Sequence, residues 1–281
     1  MRVLVTGAAG QLGHDLVSSG RALDHDVVPF DRGALDITDA AAVSDVVESA
    51  RPDVVVNAAA WTAVDACESD PDRAMRINGE GVRHLAEACH RSRAHLVQIS
   101  TDYVFDGTLA RPYVEHDVPN PQSAYGVSKL AGERAAGPRA TIVRTSWVCG
   151  EHGSNMVKTV LRLLGDHREL SFVDDQRGCP TFTADLAPMV LRLGDERRAG
   201  VFHVTNQGAV SWFEFVRDIV AAAGEDPARV RPVATADLDP PRPAPRPANS
   251  VLDNAALREA GIPLLRHYSA PLGELVARLV G

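Results

Sequence analysis

The chain begins MRVLVTGAAGQLGHDLVSSG, Met1 to Gly20, and this opening decides the fold. Arg2–Thr6 is a short β-branched run of the kind that makes a strand buried on both faces. Gly7, Gly10 and Gly13 follow in G-x-x-G-x-x-G spacing, and Leu12, Leu16 and Val17 then set a helical period. Strand, glycine turn and helix, in that order, are what a dinucleotide phosphate site needs. Glycines let the backbone turn tightly and approach a pyrophosphate, whose charge rests against the helix N-terminus. Gln11 and Leu12 lie in the same turn and go with it to the cofactor.

Outward from there, strands and helices alternate. Asp26–Phe30 is the next strand, and Asp31 follows it 18 residues after Gly13, where a Rossmann fold holds the adenosine ribose. Arg32 comes next and is placed to meet a 2′-phosphate instead. The two residues give opposite answers on NADH against NADPH, and Asp31 as a plain turn residue is a further alternative. Asp36 and Ile37 resemble a segment that packs near adenine. Val54–Val56 is a third strand, and Ala58, Ala59, Ala60 and Thr62 after it suit close passage of a cofactor or simple tight packing. A helix is expected around Asp72–Arg91, carrying Asn78. Ala94–Ile99 is a fourth strand, delivering Ser100, Thr101 and Asp102 to the same edge. A helix to about Ala136 and a strand at Thr141–Thr145 complete a βαβ alternation, hence a Rossmann-type, doubly wound parallel sheet.

Beyond Gly150 the rhythm loosens. Helices are expected at Asn155–Leu164, Thr183–Leu193, Ser211–Ala223, Asn254–Ala260 and Leu272–Val280, with strands at Glu169–Val173, Val201–Val204 and Arg229–Val233. Ser211 and Glu214 have capping-box spacing. Asp239–Pro247, DPPRPAPRP, reads as a stiff internal strap rather than a ligand for a peptide-binding module. The expected division is an NAD(P)-binding domain over 1–150 and a smaller C-terminal α/β substrate-binding domain over 151–281, with some segments folding back onto the Rossmann sheet.

Composition excludes several function classes. A net charge of −8 and a pI near 5.7 argue against a nucleic-acid partner, which needs a basic face. No apolar run approaches membrane-spanning length, and strand-like sequence from Arg2 leaves no room for a signal peptide, which points to the cytoplasm. Cys67, Cys89, Cys149 and Cys179 are scattered without a C-x-x-C pair, and the ten histidines form no ligating cluster, so neither metal nor disulfides are expected.

The chemistry centres on Ser100–Lys129, which contains STDYVFDG and, further on, AYGVSK. Tyr125 and Lys129 stand four apart, so on a helix the phenol and the ammonium share a face. Lys129 and Lys158 are the only lysines among 29 basic residues, arginine filling the rest. A site that needs a compact charge beside a phenol would reject the bulky, forked guanidinium. Bringing a phenol from near pH 10 to about 7 asks for about 4 kcal/mol. One ammonium about 4 Å away supplies about that much at an effective dielectric near 20.

The chain resembles the dTDP-4-dehydrorhamnose reductase family of extended short-chain dehydrogenases/reductases, nearly end to end. The resemblance rests on TGAAGQLG (Thr6–Gly13), NAAAWTAVDACE (Asn57–Glu68), STDYVFDG (Ser100–Gly107), YGVSK (Tyr125–Lys129), RTSWVCG (Arg144–Gly150), DQRGCPT (Asp175–Thr181), SWFEF (Ser211–Phe215) and RPANSVLD (Arg246–Asp253). It implies hydride transfer from NADPH, with NADH tolerated, to the 4-keto carbon of a dTDP-4-keto-6-deoxy sugar. By resemblance, Tyr125 donates the proton, Thr101 holds the oxygen, and Lys129 supports the phenol and bonds the nicotinamide ribose. Ile99 joins the cofactor residues. Asp102 and Trp147 would line the sugar pocket, with Asn155 and Arg246 as candidates for the diphosphate and thymine. Two positions depart from the family: Cys149 stands where Tyr is usual, and Asp15 stands where some relatives have Glu in a metal-bridged dimer contact. A homodimer is left open. Two other readings share these motifs: a sister dTDP-4-keto-sugar reductase, such as a dTDP-dihydrostreptose synthase, and a non-catalytic NADP-binding regulatory subunit of the methionine adenosyltransferase type.

Overall fold

The computed structural model describes every residue from Met1 to Gly281. Five strands, β1 (Arg2–Thr6), β2 (Asp26–Phe30), β3 (Val54–Asn57), β4 (His95–Thr101) and β5 (Thr141–Thr145), lie parallel in one sheet. Between them run α1 (Gln11–Ala22), α2 (Ala40–Ala50), α3 (Val64–Ser69), α4 (Pro71–Met75), α5 (Gly81–Ser92) and α6 (Ala124–Ala136). Then come β6 (Val148–Cys149), α7 (Met156–Asp166), β7 (Leu170–Val173), β8 (Arg177–Gly178), β9 (Thr181–Phe182), α8 (Thr183–Asp195) and β10 (Gly200–His203). β11 (Val210–Ser211), α9 (Trp212–Ala222), β12 (Val230–Val233), α10 (Ala255–Glu259) and α11 (Ser269–Val280) finish the chain.

The main sheet has the order β10-β5-β4-β3-β1-β2. Its chain path reverses between β1 and β3, and ligands of such sheets sit at the carboxyl edge of that switch point. Strand alternation decides which face each residue covers. Val3 and Val5 pack with Leu16, Leu186 and Val190 on one face, while Leu4 packs with Val43, Val55 and Leu85 on the other. Thr6, Asn57 and Gln98 add a buried polar row across β1, β3 and β4: Thr6 donates to Asn57 at 2.6 Å and Asn57 donates to Gln98 at 2.7 Å.

The sixth strand comes from the second half of the chain, β10 pairing with β5 from Gly200 opposite Thr141 to His203 opposite Arg144. α8 likewise lies on the first-half core. A separate apolar cluster joins α7, α9 and α11 through Val157, Phe215, Ile219 and Leu272, beside the parallel pair β7–β12. Ser211 and Glu214 do form the capping box of α9.

Two local departures matter. The helix expected around 72–91 is interrupted by a π-helical segment, Arg76–Glu80, between α4 and α5. The sequence reading assigns nothing to 40–50, where α2 stands. Its Val43, Val46 and Val47 are β-formers, but Asp39 accepts from the amides of Ala41 and Ala42 and fixes the start.

Candidate active site

A cleft of about 230 Å³ opens beside the switch point, walled by Gly7, Gly10, Arg32, Asp36, Ile37 and Ala58–Ala60. The turn is built for close approach. A Cβ on Gly7 would lie 2.6 Å from the amide nitrogen of Ala59, and one on Gly13 would lie 2.1 Å from the carbonyl of Gly7. Gly13 therefore lets the helix pack closely on the turn itself. Gly10 is the N-cap of α1 and no side chain caps it, which leaves the first amides of that helix to an anion such as a pyrophosphate. The residues present fit a dinucleotide.

Several expected cofactor residues also make contacts within the protein. Asp31 Oδ1 accepts from the amide of Ala34 at 2.9 Å, so its carboxylate closes its own turn while Arg32 lines the cleft. Hydrogen bonds from Thr38 hold the Asp36 carboxyl below its usual range. Gln11 donates to the carbonyl of Val148 at 2.9 Å and accepts from Asn155 at 2.6 Å. Leu12 is core, and Thr62 is exposed. The sequence reading passes over Leu35, Trp61 and Ile77, which also wall the cleft. Ile77 is in the helical pattern that the π segment rotates.

Thr101 ends β4, and Tyr125 and Lys129 stand on the first turns of α6, which Ser123 caps by accepting from Gly126. All three are buried. Small residues bring the helix close: a Cβ on Gly126 would lie 2.2 Å from the carbonyl of Tyr103, and one on Gly132 would lie 2.2 Å from that of Asn78. Asn78, buried on the π segment, bonds both backbone groups of Trp61, at 2.8 and 3.0 Å, and donates to Ser128 at 3.0 Å. It thus ties the cleft wall to the helix that bears Tyr125. Pattern reading records Asn78 only as a helical residue, and nothing local to it signals this role.

Electrostatics differ from the simple expectation. Burial pushes the Tyr125 phenol up, opposed first by the Thr101 hydroxyl, so the phenol keeps its proton rather than approaching pH 7. The physical reason is desolvation of a phenolate in a dry site, next to the buried Asp102. Lys129 Nζ donates to the carbonyl of Ile99 at 2.6 Å, and burial brings its pKa down to about 8 against the pull of Glu133. Glu133 is itself clamped by Arg144 at 2.9 and 2.7 Å and takes a bond from Ser100 at 2.5 Å.

Asp102 is buried, takes a hydrogen bond from Thr101 at 2.9 Å, and has its Oδ2 without a protein partner. Burial pushes its carboxyl up to about 6, against the hydroxyls of Ser250 and Thr101. An open acceptor there suits a sugar hydroxyl. Trp147, half-buried with φ of 47°, stacks on Trp212 at 3.6 Å between ring centres. Gly178 makes room for it, since a Cβ would lie 2.5 Å from the indole. The two diphosphate candidates are engaged by protein. Asn155 caps α7 by accepting from Lys158 and also holds Gln11, while Arg246 forks onto Asp65 with two 2.7 Å bonds.

The RmlD substrate binding domain family matches residues 1–280. A dTDP-4-dehydrorhamnose reductase of Streptomyces griseus is 47% identical over 289 residues, covering 100% of this chain and 94% of that one. A dTDP-4-keto-6-deoxy-D-glucose reductase of Streptomyces niveus is 44% identical, covering 96% of this chain and 95% of its own. Among solved structures, the dTDP-4-dehydrorhamnose reductase of Bacillus anthracis in complex with NADP superposes with a TM-score of 0.94 at 39% identity, covering 99% of each chain.

Proposed function

The chain belongs to the RmlD substrate binding domain family, and from that premise we propose that it reduces the 4-keto group of dTDP-4-dehydro-L-rhamnose with NADPH, giving dTDP-L-rhamnose. The observation that carries the reading is the gathering of a buried phenol, hydroxyl and ammonium at the carboxyl edge, beside a cleft shaped for a dinucleotide. Bound NADPH supplies the hydride. Carbonyl reduction develops an alkoxide, which needs a proton donor and a hydrogen-bond donor on the same oxygen. Tyr125, kept protonated by burial, is the proton donor. Thr101 turns its hydroxyl from Asp102 to hold the oxygen, and Lys129 supplies a compact positive charge anchored on Ile99. Asp102 and Trp147 line the sugar side, and the second-half cluster around α7, α9 and α11 serves the nucleotide end of the substrate.

The sister reading survives at the level of the sugar, since relatives of similar identity reduce other dTDP-4-keto sugars by name. No helix is long and apolar enough to cross a membrane, and we place the enzyme in the cytoplasm beside its nucleotide-sugar supply. The deciding experiment follows NADPH absorbance after adding dTDP-4-dehydrorhamnose and, separately, its C3 and C5 epimers. Oxidation with the rhamnose precursor at the highest kcat/KM supports the assignment. Binding of NADPH without turnover of any epimer would return the chain to the regulatory reading.

A further inference from the structure

We propose that the amino edge of the main sheet carries a second binding site, for a nucleoside polyphosphate. A cavity of about 600 Å³ lies there, apart from the carboxyl-edge cleft of about 230 Å³. It is formed where α5 passes into β4, where α6 passes into β5, and where α8 ends. Its volume falls within the roughly 300–1,000 Å³ of small-molecule sites.

The charge at its mouth is one-sided. His90, Arg93, Arg139 and Arg197 line it and are exposed, and no Asp or Glu does so. None of these three arginines joins any of the fifteen ion pairs in the protein. Arg197 donates to the carbonyl of Asp53 at 3.4 Å, and Arg139 meets the ring of His90. Three arginines without an ion-pair partner thus line one cavity in a chain of net charge −8.

Helix ends account for only part of this. α5, α6 and α8 all finish at this edge, and each carboxyl terminus carries roughly half a negative charge. Together they offset about half of the three guanidinium charges. The remainder suits a ligand with more than one negative charge, and guanidinium forks bind phosphate oxygens in pairs. The inner wall is different in kind: Cys89 and Leu96 are buried there beside Ala86 and Ala140. A bare phosphate has no use for an apolar wall. A base or ribose does, so the shape calls for phosphates at the arginines and an organic body within.

The test uses the full chain and ATP as probe, titrated calorimetrically with saturating NADP and dTDP present to fill the other cleft. One further ATP site per chain is expected. The Arg93→Ala/Arg139→Ala double variant should weaken it at least tenfold while leaving kcat and the KM for NADPH unchanged. Arg197→Ala provides an independent second variant with the same expectation. Because the arginine variants locate the site, the result does not depend on the reductase reading. No ATP binding, or binding indifferent to all three arginines, overturns the proposal. Inorganic triphosphate binding as tightly as ATP overturns the assignment to a nucleoside.

Discussion

Asn78 donates a 3.0 Å hydrogen bond to Ser128, and through that contact the cleft at the switch point and the helix that bears Tyr125 become one unit. The same amide side chain holds Trp61 by both its backbone groups. Removing it leaves one buried and two part-buried partners short of a bond, at about 1 kcal/mol each. Asn78→Ala is therefore expected to lower stability by about 2–4 kcal/mol, read as a shift in denaturant midpoint at constant slope. It should also raise the KM for NADPH, because Trp61 walls the cleft. Unchanged midpoint and KM would mean that the π segment holds its shape without Asn78.

Cofactor choice should follow Arg32, not Asp31. Arg32 lines the cleft, whereas Asp31 is absent from its walls and turns one carboxylate oxygen to the amide of Ala34. Arg32→Ala should cut kcat/KM for NADPH at least tenfold, about 1.4 kcal/mol, with little effect for NADH. Asp31→Ala should leave the NADPH-to-NADH ratio within threefold. A tenfold NADH preference in the unaltered enzyme would reverse the assignment.

The pH dependence comes from Lys129, whose pKa burial brings down to about 8. As pH rises through 8 the ammonium loses its proton in the folded protein, so kcat/KM for reduction should fall on the alkaline side. Lys129→Met should lack that limb. Stability has the opposite sign. Between about 8 and the unfolded value near 10.4, the unfolded chain binds the extra proton, so the contribution of Lys129 to stability improves as pH rises there. Unfolding midpoints of native enzyme and Lys129→Met, compared across pH 7–10, check this.

What was legible in the sequence was whatever local pattern dictates. The β-branched run Arg2–Thr6, the three glycines, and the four-residue step from Tyr125 to Lys129 each fix geometry within a turn or a strand. What was not legible depends on partners far along the chain or on local competition. Arg246 meets Asp65 across 181 positions, and nothing near either residue foretells the pair. Asp31 and Asn155 have the right residue types for ligand contact, but a turn amide and a helix cap take their side chains first. The π segment rotates Ile77 and Asn78 off the regular helical period, which no 3.6-residue pattern reports.

Lys129→Arg is the sharpest test of the catalytic arrangement. Lys129 is 3% exposed and its ammonium is held 2.6 Å from the Ile99 carbonyl, so a guanidinium brings extra bulk and unmatched donors into a filled site. Charge is preserved, yet activity should fall by about 10² or more, comparable with removing a general acid. Tyr125→Phe deletes only a hydroxyl. It should retain NADPH binding, measured by fluorescence titration, while kcat drops by about 10²–10⁴. If both residues serve one proton transfer, Tyr125→Phe combined with Lys129→Met should be little slower than Tyr125→Phe alone. Additive losses would mean that Lys129 acts mainly on cofactor placement. Near-native turnover of Tyr125→Phe would remove the phenol from the mechanism altogether, leaving the Thr101 hydroxyl as the remaining donor at that edge.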